Sequence, residues 1–204
     1  MILVVIKGGY HTMTKKATIT KEIIVNAAFE IARTEGEEYV NARSIAKKIG
    51  CTTQPVLYHF SSVMEIKNEV LKKADLMHTE YIMDICGRYD NPMLEIGMQY
   101  IRFALEEKHL FRLLFQSDKF ASKGFSDLMN DEEISPLITI MSSVSGISQK
   151  AMRKIFACIF LPVHGFASLI ANNAMIYDEE YIVGILSEIY RSVISNLKEN
   201  DNND

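Results

Sequence analysis

Along most of this chain apolar residues recur at three- and four-residue intervals, the period of a helix with one buried face. Ile23, Ile24, Ala27, Ala28, Ile31 and Ala32 mark a first helix that opens at Thr20 and closes at Glu35-Gly36. Asn41 then caps a short helix with Ala42, Ile45, Ala46 and Ile49 on one face, and Gly50 ends it. Thr52 is placed to cap another short helix, whose first turn tolerates Pro55 because a missing N–H costs nothing there. In that helix Val56 and Phe60 share one face while Gln54 and Tyr58 point the opposite way. Ser61 or Ser62 begins a longer helix through Val70, Leu71, Ala74 and Met77 towards Cys86.

The second half continues the pattern. Asn91-Pro92 starts a helix carrying Leu94, Ile96, Met98, Ile101, Phe103, Ala104 and Leu105, and a short aromatic helix with Phe111, Leu114 and Phe115 follows. Residues 117–130 read as irregular or only partly helical; Ser135-Pro136 restarts a helix that Ser145-Gly146 stops. Residues 151–175 form a long helix that is apolar almost all round and is expected to bend at Pro162. Asp178-Glu179-Glu180 opens the last helix, with a stripe of Ile182, Ile185, Leu186, Ile189, Val193 and Leu197. The fold class is therefore all-α, and a polar tail after Lys198 is expected to be disordered.

Composition narrows the function classes. Four prolines and ten glycines in 204 residues suit a helical protein with apolar content enough for a core. Cys51, Cys86 and Cys158 lie far apart and are odd in number, which reads as reduced thiols in a cytoplasmic protein. No apolar run is expected to reach the roughly 18–20 residues of a membrane span. The histidines at 11, 59, 78, 109 and 164 lack metalloprotease spacing, no nucleophile elbow or glycine-rich phosphate loop occurs, and no metal or cofactor is expected. Catalysis has no residues to rest on. From residue 13 to residue 73 there are ten Lys/Arg against seven Asp/Glu, a balance of +3; from 74 to 204 eleven stand against nineteen, a balance of −8. A basic front on an acidic body suits a polyanion-binding unit attached to a body that avoids DNA.

Residues 41–60 carry the chemistry. Two short helices around a tight turn, the second with an uncommitted polar face, make a helix-turn-helix pattern. Gln54 offers the amide donor and acceptor for a bidentate contact to adenine in the major groove. Asn41, Arg43, Thr52, Thr53, Pro55, Tyr58, His59 and Lys67 complete the expected DNA-contacting set, mainly at phosphates. An ordinary helical hairpin whose polar residues meet water has the same spacing. Residues 20–71 resemble the DNA-binding domain of the TetR family of bacterial transcriptional repressors. The likeness rests on Ala27-Ala28-Phe29, Gly36, Ile45-Ala46-Lys47-Lys48-Ile49-Gly50, Thr52 and Tyr58-His59-Phe60. Two positions depart from it: Leu57 stands where the family commonly has Tyr, and Val63 where it has Lys.

The resemblance implies an arm over residues 1–16, a DNA-binding domain over 17–77, and an effector-binding and dimerisation domain over 78–198. Phe160 with Val163-His164-Gly165 resembles a TetR subgroup marked by a Trp…His-Gly motif, Phe160 replacing the Trp. In that subgroup the last two helices form a four-helix dimer interface, which here would use Phe160, Ile182, Ile185, Leu186, Ile189 and Val193. Tyr100, Phe103, Phe111, Phe115, Met141, Phe156 and His164, with Phe120 and Phe125, are candidates for an apolar effector pocket, although aromatics at this spacing also build cores. The expected protein is a homodimeric repressor of operator DNA released by a small-molecule effector. The alternative is a helical protein–protein adaptor that has lost DNA binding, which Leu57 and Val63 allow. Residues 1–12 carry no cap or amphipathic face. Lys7-Gly8-Gly9 can be encoded by a purine-rich ribosome-binding sequence three codons before Met13, so translation is expected to start at Met13.

Overall fold

The computed structural model describes residues 19–116, 127 and 132–201. Residues 1–18, with the expected arm and start site, and Phe120 and Phe125 lie outside the described residues. Among those described there are nine α-helices and no strand. They are α1 (Lys21–Thr34), α2 (Ala42–Ile49), α3 (Thr53–His59), α4 (Val63–Ile82), α5 (Pro92–Glu106), α6 (Lys108–Phe115), α7 (Ser135–Ser145), α8 (Gln149–Ala171) and α9 (Glu179–Asp201).

Local chemistry sets most of these ends. Thr20 Oγ1 accepts from the Ile23 N–H at 3.3 Å to start α1, and Asn91 Oδ1 accepts from the Met93 N–H at 3.0 Å to start α5 with Pro92 in its first turn. Asn41 and Ser44 form a reciprocal capping box: the Ser44 N–H donates to Asn41 Oδ1 at 3.0 Å, and the Asn41 N–H donates to Ser44 Oγ at 3.1 Å. Gly50 sits at φ 77, ψ 39, the left-handed conformation that lets α2 stop and the chain turn sharply into α3. Thr52 occupies the cap position of α3, but its side chain makes no capping bond.

Four element ends differ from the sequence reading. Helix α4 stops at Ile82, leaving Cys86 exposed in the following loop. The fully internal reason is Glu95 of α5. It is 2 % exposed, and its carboxylate accepts from the N–H groups of Cys86 at 2.8 Å, Gly87 at 3.1 Å and Arg88 at 3.3 Å, so these groups serve a tertiary contact instead of a helix. Helix α8 starts earlier and ends earlier than expected, at Gln149 and Ala171, and runs without interruption through Pro162. Helix α9 continues past Lys198 to Asp201.

Helices α1, α2 and α3 pack together and onto the first half of α4. Ile24, Ala28, Ile45, Val56, Ile66 and Val70 are all fully buried there. The second half of α4 packs on α5 and α6, and α5 lies along α8, which in turn packs on α7 and α9. Gly97 permits that approach: a Cβ at this position would lie 3.3 Å from Val163 Cγ2. Helix α8 is long and apolar enough to cross a membrane by length and composition, against the sequence expectation. Its Met152, Ile155, Ile159, Val163, Ala167 and Ile170 are nevertheless buried among the other helices. Packing against neighbours, not lipid, accounts for that face.

Candidate nucleic-acid interface and ligand cavity

Helix α3 is anchored by Val56 and Phe60, which are 0 % and 4 % exposed. Its outer face carries Gln54, Leu57 and Tyr58, all exposed, with Leu57 at 57 % and Tyr58 at 84 %. Those positions are three and four residues apart, hence on one side. Thr52 is exposed at the start of the helix, and Thr53 and Pro55 are half-buried beside it. Arg43, Lys47 and Lys48 on α2 are exposed and form no ion pair among the described residues. Their charge is therefore available to a polyanion.

Three residues assigned to this face have other occupations. His59 is half-buried, and its Nε2 lies 2.8 Å from the Ile19 carbonyl oxygen, tying the chain before α1 to α3. Lys67 lies 3.5 Å from the Glu37 carboxylate, so its charge is partly neutralised. Asn41 is exposed, but its Oδ1 holds the Arg43 and Ser44 N–H groups and its Nδ2 donates to the Tyr39 carbonyl at 3.1 Å. The N-terminus of α4 also carries its own anion. Glu65 Oε2 accepts from the Ser61 N–H at 2.8 Å and from Ser61 Oγ at 2.9 Å, and Lys21 lies 3.7 Å away. The bonds from Ser61 hold the Glu65 carboxyl below its ordinary pKa. This carboxylate occupies the Ser61 donors that a phosphate there would use.

The body contains a cavity of about 450 Å³ bounded by α4, α5, α6, α7, α8 and α9. Tyr100, Phe115, Met141 and Phe156 line it. Phe103 and Phe111 do not: both are 0 % exposed and pack in the core behind it, where edge-on contacts with Tyr81, His78 and Tyr100 consume their surfaces. His164 also stands back from the cavity. Its Nδ1 is 2.9 Å from the Tyr100 hydroxyl, its Nε2 is 3.2 Å from Ser168 Oγ, and its ring stacks on Phe160 with centroids 5.3 Å apart. Burial lowers its pKa, and the two contacts leave it a half-buried histidine that orients Tyr100.

Phe160 is half-buried and lines the cavity. Ile182 and Leu186 are 1 % and 0 % exposed, fully used inside the chain's own core, while Ile185, Ile189 and Val193 are half-buried. The exposed apolar residues of α8 and α9 are instead Leu161, Leu169 and Tyr181 at 56 %, 47 % and 63 %. Wheel periodicity does not separate these positions. A stripe wide enough for both core and partner does not say which edge meets which.

Sequence reasoning also missed His78 and Tyr190, both on the cavity wall and 7 % and 3 % exposed. A signal for His78 existed. Ile66, Val70, Ala74, His78 and Ile82 follow at four-residue steps along α4, all buried, so a histidine occupies the fourth place of an otherwise apolar stripe. Burial lowers the His78 pKa to about 4, leaving the ring neutral at pH 7. The same stripe runs from the α1–α3 core to the cavity, so one rigid helix touches both.

No protein-family model matches the chain. It is 25 % identical over 195 residues to the uncharacterized HTH-type transcriptional regulator YobS of Bacillus subtilis strain 168, an alignment that spans 94 % of this chain and 99 % of that protein. The likeness thus extends across the short helices and the cavity-bearing body alike.

Proposed function

We propose that this chain is a DNA-binding transcriptional regulator that acts in the cytoplasm, and that it is a TetR-like homodimeric repressor released from its operator by a small molecule. The observation that carries the reading is α3: a short helix locked to the core by Val56 and Phe60, with Gln54, Leu57 and Tyr58 presented together and, on the adjoining α2, exposed cations that form no ion pair among the described residues. An α-helix with such a face fits the major groove, where Gln54 pairs with adenine and the Leu57 side chain meets thymine methyl groups. The full-length likeness to an HTH-type transcriptional regulator supports it. The mechanism is a population shift in which ligand in the cavity moves α4, and with it the spacing of the two recognition helices of a dimer relative to successive major grooves about 34–36 Å apart.

A second reading is favoured by exposed Leu57 and Met64 and by the Glu65 carboxylate at the start of α4. These suit a protein–protein adaptor that no longer holds DNA. A gel shift with the DNA upstream of the protein's own gene separates the two. The regulator reading expects a salt-sensitive complex, weakened by about 1–3 kcal/mol on that site in Gln54→Ala with non-specific binding nearly unchanged. No complex at low salt favours the adaptor, and equal loss on specific and random DNA removes Gln54 from base reading.

A further inference from the structure

The cavity wall is sparing in polar groups. Among its described residues there is no lysine or arginine; Asp75 and Thr79 are exposed at its edge on α4. Inside, the Tyr100 hydroxyl is already bonded to His164. Two groups on the wall remain, one of them a fully buried nitrogen. His78 Nε2 is buried without a hydrogen-bond partner, its ring held edge-on by Tyr100, Phe103 and Phe115 at centroid distances of 5.4, 4.9 and 4.9 Å. The Tyr190 hydroxyl, on α9, forms no hydrogen bond with any described residue. Buried polar groups in folded proteins are nearly always paired, so the His78 nitrogen calls for a partner, and the Tyr190 hydroxyl on the same wall can share it. Aromatic contacts fix the imidazole but leave its hydrogen bond unmade.

We propose that the cavity takes an uncharged, mostly apolar molecule with a single hydroxyl group, anchored by hydrogen bonds to His78 and Tyr190. This rests on reading the cavity as the regulator's effector site and specifies the ligand's chemistry. A neutral imidazole and a phenol together offer donors and acceptors, and a hydroxyl uses one of each. A carboxylate finds no cation on the described wall and meets Asp75 at the edge, so its desolvation goes uncompensated. An ammonium is drawn to Asp75 but loses that partner on entering. The two anchors stand on α4 and α9, so the ligand's polar head joins the helix that carries the N-terminal domain to the last helix of the body.

The chain has no tryptophan, which leaves naphthalene fluorescence readable in the full protein. Four probes share that skeleton: 1-naphthol, naphthalene, 1-naphthoate and 1-naphthylmethylammonium, titrated at pH 7.5 without DNA. The expected result is 1-naphthol binding at least about tenfold tighter than each of the others. In Tyr190→Phe, an isosteric change, and in His78→Phe that preference shrinks towards unity while naphthalene binding persists. Equal affinity for naphthol and naphthalene, a charged probe binding as tightly, an unchanged preference in both variants, or no binding of any probe overturns the proposal. Naphthol binding by a protein that shifts no DNA leaves the ligand assignment standing and removes the regulator reading, so the two failures are distinct.

Discussion

His78 shows how a single side chain links packing to solution behaviour. Its ring is held neutral by burial, with a pKa near 4 against an ordinary 6.5. Between these values the unfolded chain binds the proton and the folded chain does not, so acid favours unfolding. The contribution is full above about pH 6.5, declines as pH falls, and is lost near pH 4; across the window it amounts to about 3 kcal/mol. His164, also lowered by burial, adds a slope of the same sign. Urea unfolding of wild type and His78→Phe at pH 7.5 and pH 5 should therefore show a smaller acid-induced drop in the variant. Parallel drops would mean that His78 is protonated as easily folded as unfolded. Removing an orphaned nitrogen also leaves His78→Phe no less stable at pH 7.5 than wild type, provided the larger ring fits.

At the scale of elements, the N-terminal domain and the body meet along α4 and through a second, shorter contact between α1 and α6. Arg33, in the last turn of α1, makes a two-pronged bond to Glu107 at the α5–α6 junction, with Nε donating at 2.8 Å and Nη2 donating to the other oxygen. Glu107 is 8 % exposed, whereas the Arg33 side chain is 38 % exposed, so water weakens the pair from one side. Glu107→Gln should cost about 1–2 kcal/mol of stability, and a double-mutant cycle with Arg33→Gln should recover most of that as coupling. Strictly additive losses in urea unfolding would show that the two elements are held together by apolar packing alone. If the regulator reading holds, this contact is one of two routes by which the body's state reaches the short helices.

At the scale of the whole molecule, α8 and α9 leave apolar residues uncovered. Leu161, Leu169 and Tyr181 are exposed, and Gly165 and Gly184 have nothing within 4 Å of a Cβ position, giving a flat apolar strip on two adjacent helices. In the homodimer proposed here a second copy covers that strip. Leu161→Glu with Leu169→Glu should give folded monomers in sedimentation with helical content unchanged. Leu186→Glu should instead unfold the chain, because it buries a charge at a position 0 % exposed. A double variant that remains dimeric would place the interface elsewhere.

The helices, their order and most of their caps were determined locally, by apolar periodicity and by Thr20, Asn41, Gly50, Ser62 and Asn91 acting on their own neighbours in the chain. The all-α class followed from the same signals, and so did the outward face of Gln54 and Tyr58, because a short helix with two anchors has only one free side. Tertiary structure decided the rest. It engaged His59 and Lys67 with Ile19 and Glu37, halted α4 for the Glu95 carboxylate, and turned Phe160, Ile182 and Leu186 inward. It also placed His78 and Tyr190 on one cavity wall, with His78 Nε2 buried and unpartnered among the described residues. Periodicity states which residues leave water. Which of them meet one another, and which buried polar group is left unpaired, depends on contacts between residues distant in the chain, such as Arg33 and Glu107 or Tyr100 and His164.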